Sequence, residues 1–349
     1  MNRSQAWVEL ALKTLRCSQK ELALRLGVSP TQISKWKSGE HMSLDMAEKF
    51  QAVVDIGDDR PEFVLWAGSL ADALKWDRLI HFLADQARDS AETGYDTYPL
   101  LDELAPGLLC VDVSDALRGM GVEPPKSFPP ELDRYFSSDA DNDASDVPDN
   151  SQLWELLEAN AYSAIIRDIF ESLNNVWGFY AAYVEDVADD DGGSLYDTKS
   201  NIEACLIDLA ACKIDVDEKF APKIRTFRHQ VMRDYEEWLT TVKDAAFRAG
   251  APLRAELLDM VAGDTEELGH AAEAESLGFN STRLHPDIYM NELLVGMRII
   301  HQVLPAILKR LEINDFKVDQ SHLHIEMSAP RAKTAASEAQ VDPTPESDE

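Results

Sequence analysis

Lys35 and Lys37 stand two residues apart in SPTQISKWKSGE, residues 29–40, and ammonium groups on so short a polar segment are suited to meeting an anion. Other residue sets suggest different chemistry and fail its requirements. Cys17, Cys110, Cys205 and Cys212 show no CxxC spacing, and three of the four sit among apolar neighbours. They read as reduced core thiols, with neither zinc nor a disulfide expected. His322 and His324 lie two apart near the C-terminal end and read as solvent-facing, and the eight histidines form no HExxH. Asp139, Asp141 and Asp143 invite a calcium-loop reading, but Ala144 and Asn150 occupy the places where such a loop needs glycine and glutamate. No GxxxxGK[ST], GxGxxG or GxSxG occurs. No catalytic residue, metal ligand or cofactor is expected, and the chain reads as a non-enzyme.

The elements that must position the lysines are marked locally. Ser18 followed by Glu21, and Ser29 followed by Gln32, are capping-box patterns, and Pro30 falls at a first helical position where its missing donor costs nothing. Gly27 lies just past the first of these helices, where a left-handed backbone is cheap for glycine. Leu22, Leu26, Ile33 and Trp36 supply apolar faces, and Ala23 is small enough to let the two helices cross closely. Trp7, Leu10, Ala11 and Leu15 predict a supporting helix ahead of them, and Met46, Phe50 and Val53 another behind. Together they predict a small bundle ending near residue 57.

The pattern Ser18-Gln19, Leu22-Ala23, Leu26-Gly27-Val28-Ser29, Ile33-Ser34, Trp36, Gly39 resembles the phage-repressor/Cro-like (XRE) helix-turn-helix family over residues 4–57. The resemblance implies a lambda-repressor-like DNA-binding domain whose second motif helix, residues 30–37, lies in the major groove. It implies base-facing roles for Pro30, Thr31, Gln32 and Lys35: the Gln32 amide against adenine, Lys35 against guanine, the Thr31 methyl against thymine, and a purely steric readout at Pro30. Gln19, Ser29, Lys37 and Ser38 are implied as phosphate contacts. Competing readings stay open, since the Gln32 amide can turn back onto the Ser29 cap and the two lysines can be ordinary solvated side chains. Trp36 reads as core, and His41 as a lesser phosphate candidate.

Charge separates this head from the rest. The protein has 349 residues and a formal charge of −31; residues 1–57 hold eight Lys/Arg against six Asp/Glu, and the remaining 292 hold 25 against 58. A body of that sign repels phosphate and anionic membranes. No run of 18 apolar residues occurs and the N-terminus has no export-signal pattern, so a cytoplasmic location and no membrane partner are expected. Apolar positions recur at three- and four-residue spacings almost throughout, predicting an all-α chain. The best strand-like runs are LLCVDV and LHIEM. The expected organisation is a helix-turn-helix domain at 1–57, a helical subdomain at 58–136, an acidic linker at 137–150, a helical bundle at 151–328 and a disordered tail at 329–349. Helices are predicted from 151 to about 185, and over about 198–214, 217–248, 252–276 and 286–312, with Ser69 and Asp72 capping one that begins near residue 70.

The expected function is a sequence-specific transcriptional regulator that binds double-stranded DNA as a dimeric repressor, with the acidic body serving dimerisation and answering a protein or small-molecule effector. A homodimer follows from energetics, because two or three base contacts of about 1–3 kcal/mol each cannot outweigh a genome of competing sites. The alternative is an antitoxin or phage-defence component whose body binds a protein partner and whose DNA binding is autoregulatory. A third class, an enzyme with carboxylates hidden among the acids, has no motif behind it.

Overall fold

The computed structural model describes residues 2–57, 59–102, 106–137, 150–185, 206–249, 255–279 and 286–313. Among these residues there are fifteen α-helices and no strand. The chain divides into two compact units, Met1–Asn291 and Glu292–Glu349.

In the first unit, the N-terminal bundle is formed by α1 (Arg3–Leu15), α2 (Gln19–Leu26), α3 (Pro30–Lys37) and α4 (Leu44–Val54). This bundle is continuous with the helices C-terminal to it. Helix α1 packs on α3 and α4 and also on α5 (Pro61–Ala67), so the head and the next helices share one hydrophobic core. Lys13 Nζ reinforces this join by donating to Gly68 O at 3.0 Å. Helix α5 in turn packs on α6 (Leu70–Asp89) and α7 (Leu108–Gly119). Trp76 on α6 is fully buried and packs edge-on against Trp66, Phe128 and Tyr162, with ring centroids 5.1–5.7 Å away.

Helix α6 starts where its cap signal puts it: Ser69 Oγ accepts from Asp72 N at 3.1 Å, and Ala73, Trp76, Ile80, Leu83 and Ala87 form its buried stripe. The short α8 (Asp133–Phe136) packs beside it. The centre of the first unit is α10 (Ala161–Tyr183), which packs against α6, α9 (Asn150–Ala159), α11 (Leu206–Lys213) and α14 (Thr265–Ser276). Its buried Asn174 is satisfied on both sides, donating to Ala87 O at 2.6 Å and accepting from Thr97 Oγ1 at 2.7 Å. Helix α11 packs on α7 and on α12 (Ile224–Ala249), and the one-turn α13 (Asp259–Ala262) precedes α14. Most of α15 (Pro286–Arg310) belongs to the second unit.

Two expectations need correction, and one ambiguous run is resolved. LLCVDV, the most strand-like of the described runs, is the start of α7, as an all-α chain requires: the Asp102 carboxylate accepts from the N–H groups of Gly107, Leu108 and Leu109, satisfying the helix start, while Leu109, Cys110, Val113 and Leu117 are buried at helical spacing. The helix expected from 151 to about 185 is two, because Asn160 caps a new one through Tyr162 N and Ser163 N. The helix expected over 252–276 breaks at Gly263, where Asp264 accepts from Glu267 N and starts α14 afresh. Asp139, Asp141, Asp143, His322, His324, Cys205, LHIEM and the tail lie outside the described residues.

The packing of α11 on α7 takes Asp208 largely out of water. Burial, followed by repulsion from Asp115, raises its carboxyl from the ordinary 3.8 to about 6. The fold therefore favours the neutral acid, a contribution fully present below about pH 4 and lost as pH rises through about 6. Asp208→Asn, which cannot ionise, is expected to raise stability by on the order of 2–3 kcal/mol at pH 8 and by far less at pH 4, read as the thermal midpoint at the two pH values.

Candidate nucleic-acid interface

The turn between α2 and α3 is three residues long, and every part of it is tied down. Ser18 starts α2 with a complete capping box: Ser18 N donates to Glu21 Oε2 at 2.7 Å and Glu21 N to Ser18 Oγ at 3.3 Å. The bond to the Ser18 backbone, followed by that to its hydroxyl, holds the Glu21 carboxyl below its ordinary range. Gly27 ends the helix at φ +67°, and Val28 N closes back onto Ala23 O at 2.9 Å. Ser29 then caps α3 by accepting from Gln32 N at 3.1 Å, with Pro30 at the first helical position.

Burial fixes which side of α3 faces outward. Ile33 is fully buried, and Trp36 packs edge-on against Phe50 of α4 at 5.9 Å. Phe50 lies against Trp7 of α1 on its other side, at 6.4 Å. Pro30, Thr31, Ser34, Lys35, Lys37 and Ser38 are consequently exposed, and Gln32 is half-buried at the flank.

The residues named from sequence fall into different states of engagement. The Gln32 side-chain amide makes no hydrogen bond among the described residues, so the cap that begins α3 is one-sided and leaves it free. Thr31 and Pro30 are open. Lys37 has no partner among the described residues, whereas Lys35 Nζ is paired with the Glu40 carboxylate at 3.3 Å, both about half exposed. Gln19 is half committed: its carbonyl oxygen accepts from Ser34 Oγ at 3.2 Å, bracing α2 against α3 and leaving its amide protons available. The Ser29 hydroxyl accepts from Gln32 N, a bond that leaves its own proton unused. The Ser38 hydroxyl is turned inward, donating to Ser34 O at 2.8 Å. His41 is exposed and lines a cleft of about 260 Å³ with Arg3, Ser4, Trp7, Met42, Leu44 and Ala47.

Two residues that matter to this geometry were not anticipated. Glu40 intercepts Lys35 from five positions away across the turn. Asn2 reaches 37 residues along the chain to donate from Nδ2 to Gly39 O at 2.7 Å while capping α1. Gly39 sits at φ +96°, a backbone conformation that favours glycine, and a Cβ there would push on Asn2 Nδ2 at 2.9 Å and disturb its bond to Gly39 O.

Residues 9–56 match the helix-turn-helix family. This segment is an XRE-type DNA-binding domain, and the chain that carries it has the reading module of a DNA-binding regulator. No curated protein and no solved structure matches the chain. Among the described residues no helix is long and apolar enough to cross a membrane.

An exposed ion pair contributes little, about 0–1 kcal/mol, so Lys35 can leave Glu40 for DNA at small cost. Glu40→Gln removes the competitor and a nearby negative charge. It is expected to tighten binding to any duplex about twofold to fivefold at low salt, with the gain vanishing as ionic strength rises. Fluorescence anisotropy across a salt series checks this; an unchanged affinity at low salt would mean that Lys35 does not exchange partners.

Proposed function

We propose that the protein is a sequence-specific transcriptional repressor that reads duplex DNA as a homodimer with α3 in the major groove. The observation that carries the reading is the outward side of α3, where Thr31, the uncommitted Gln32 amide and Lys35 are presented on a helix whose other face is locked by Ile33 and Trp36. Pro30, Thr31, Gln32 and Lys35 are assigned to base edges, and Gln19, Ser29, Lys37 and Ser38 to the flanking phosphates. For Ser38 this requires its hydroxyl to release Ser34 O. Bound at a promoter, such a dimer represses by occupying the duplex.

The dimer reading is supported by α15. Between Leu293 and Ile313, eleven large apolar side chains are exposed. At about half of each side chain's area they offer roughly 1,000 Å², against the roughly 800 Å² per partner of a standard stable interface. Six of them, Leu293, Met297, Ile300, Leu304, Ile307 and Leu311, follow a four-three-four-three-four spacing, the seam that packs against another helix of its own kind. Pro305 falls off this seam. A second copy of α15 is therefore the assigned occupant.

Binding selection on random duplexes tests the reading function, and a two-fold-related pair of half-sites is the expected motif. Gln32→Ala is expected to relax preference at one base pair, while Lys37→Ala weakens all sequences alike and lowers the salt slope by about one per head. A selected motif unchanged by Gln32→Ala would overturn the base-reading assignment. Ile300→Glu is expected to convert a dimer to a monomer in light scattering and to cost at least tenfold in affinity for the full site while sparing single half-sites. Persistence of the dimer would remove α15 from its interface.

A further inference from the structure

Away from the DNA-binding head, α6 places Asp77 and His81 one helical turn apart, and the first turn of α7 brings Cys110 against them. One ligand atom from each of the three lies within 4.8 Å of the others. Asp77 Oδ1 is 3.4 Å from Cys110 Sγ and 3.5 Å from His81 Nδ1. With metal–sulfur bonds of about 2.3 Å and metal–nitrogen or metal–oxygen bonds of about 2.0 Å, the edges of a tetrahedral zinc site come to about 3.3–3.5 Å. The two edges that meet at Asp77 Oδ1 thus match those of a tetrahedral site, the third lies within 4.8 Å, and the contact from Cys110 Sγ is a thiol hydrogen bond that a metal would replace.

The surroundings supply what such a site needs beyond its ligands. His81 Nε2 lies 3.3 Å from Asp102 Oδ2, the carboxylate partner that fixes the ring and makes its other nitrogen a better ligand. Asp102 cannot itself swing in, because its carboxylate is held by the N–H groups of Gly107, Leu108 and Leu109 and its side chain is almost fully buried. Cys110 is buried, whereas Asp77 and His81 are each about one-third exposed, so the cluster is closed on the sulfur side and open to solvent on the other. Burial first, and then the carboxylates of Asp77, Asp102 and Asp59, keep the Cys110 thiol protonated without a cation; the same negative field draws a divalent one.

We propose that Asp77, His81 and Cys110 bind a divalent transition-metal ion of the zinc class, with Asp102 as the positioning residue and water in the fourth place. On binding, the thiol proton leaves to solvent. His81 faces acceptors with both nitrogens, Asp77 O at 2.8 Å and Asp102 Oδ2 at 3.3 Å; its Nδ1 proton also leaves to solvent, freeing that lone pair for the metal, while Nε2–H stays on Asp102. The proposal concerns metal binding alone and stands whether or not α3 reads DNA.

Cobalt(II) is the probe. Full-length, chelator-treated, reduced protein is titrated with Co²⁺ and read by absorption. Saturation at one equivalent is expected, with a near-ultraviolet thiolate-to-cobalt band and the strong visible bands of four-coordination, all erased by Zn²⁺. Cys110→Ser should abolish the near-ultraviolet band, and His81→Gln should weaken binding at least tenfold. Asp102→Asn should weaken it about tenfold to a hundredfold at unchanged stoichiometry. The absence of a thiolate band in the unmodified protein, or a band of equal strength in Cys110→Ser, would overturn the assignment. Should Cys110→Ser fail to fold, His81→Gln, altered at a partly exposed position, carries the test: unchanged cobalt affinity there overturns it equally.

Discussion

The T-shaped contact between Trp36 and Phe50 is the one on which the N-terminal bundle depends. Phe50 is fully buried between Trp36 on α3 and Trp7 on α1, so three helices converge on one ring. A helix of eight residues such as α3 is too short to be stable by itself, and its cap contributes only about 1 kcal/mol. Its orientation must come from burying one side, and that burial also decides what the other side can do. With Ile33 and Trp36 inward, helical geometry leaves Thr31, Ser34, Lys35 and Ser38 outward whatever their chemistry. The sequence then places polar, donor-bearing groups on that side and keeps the Gln32 amide out of the local cap.

Electrostatics makes this local presentation necessary. A chain of formal charge −31 is repelled by DNA at long range, and the near-neutral first 57 residues provide no large cationic field to offset it. Attraction must arise within a Debye length, about 8–10 Å, from a few groups held at the surface. Under that constraint a flexible basic arm would serve poorly, whereas a rigid helix with two lysines and a capped helix start beside it serves well. The Lys35–Glu40 pair holds one of these few cations in a defined place at the surface.

What could be read from the sequence was mostly what is settled within four or five residues. The caps at Ser18, Ser29 and Ser69 are chemical signals carried by adjacent residues; all three side chains cap their helices, but the reciprocal box expected at Ser29 forms only on the serine side. The breaks at Asn160 and Gly263 were hidden because the apolar periodicity runs through them, and only the side chains of Asn160 and Asp264, turned back onto the next helix's N–H groups, divide it. LLCVDV looked strand-like from its apolar, β-branched content; a carboxylate outside the run, Asp102, makes it a helix start. The cluster beside α6 shows the same limit. Asp77 and His81 are four apart on a visible helix, but Cys110 comes 29 residues later and Asp102 acts through a loop, so no spacing rule joins them.

Helix α5 ties these parts into one mechanical problem. It is seven residues long, and in the first unit it touches α1 of the DNA-binding head, α6 and α7. Arg118 on α7 donates to Glu62 O at 3.0 Å, and Lys13 on α1 donates to Gly68 O just beyond the end of α5, so both neighbours grip its backbone as well as its side chains. Glu62 is buried within this contact, and burial raises its carboxyl above the ordinary range, a cost that a loosely attached helix would relieve by turning outward. Close-packed interiors transmit small displacements because they have little void to absorb them. Helix α5 is thus a direct packed connection between α6 and α7 on one side and α1, which carries α3, on the other.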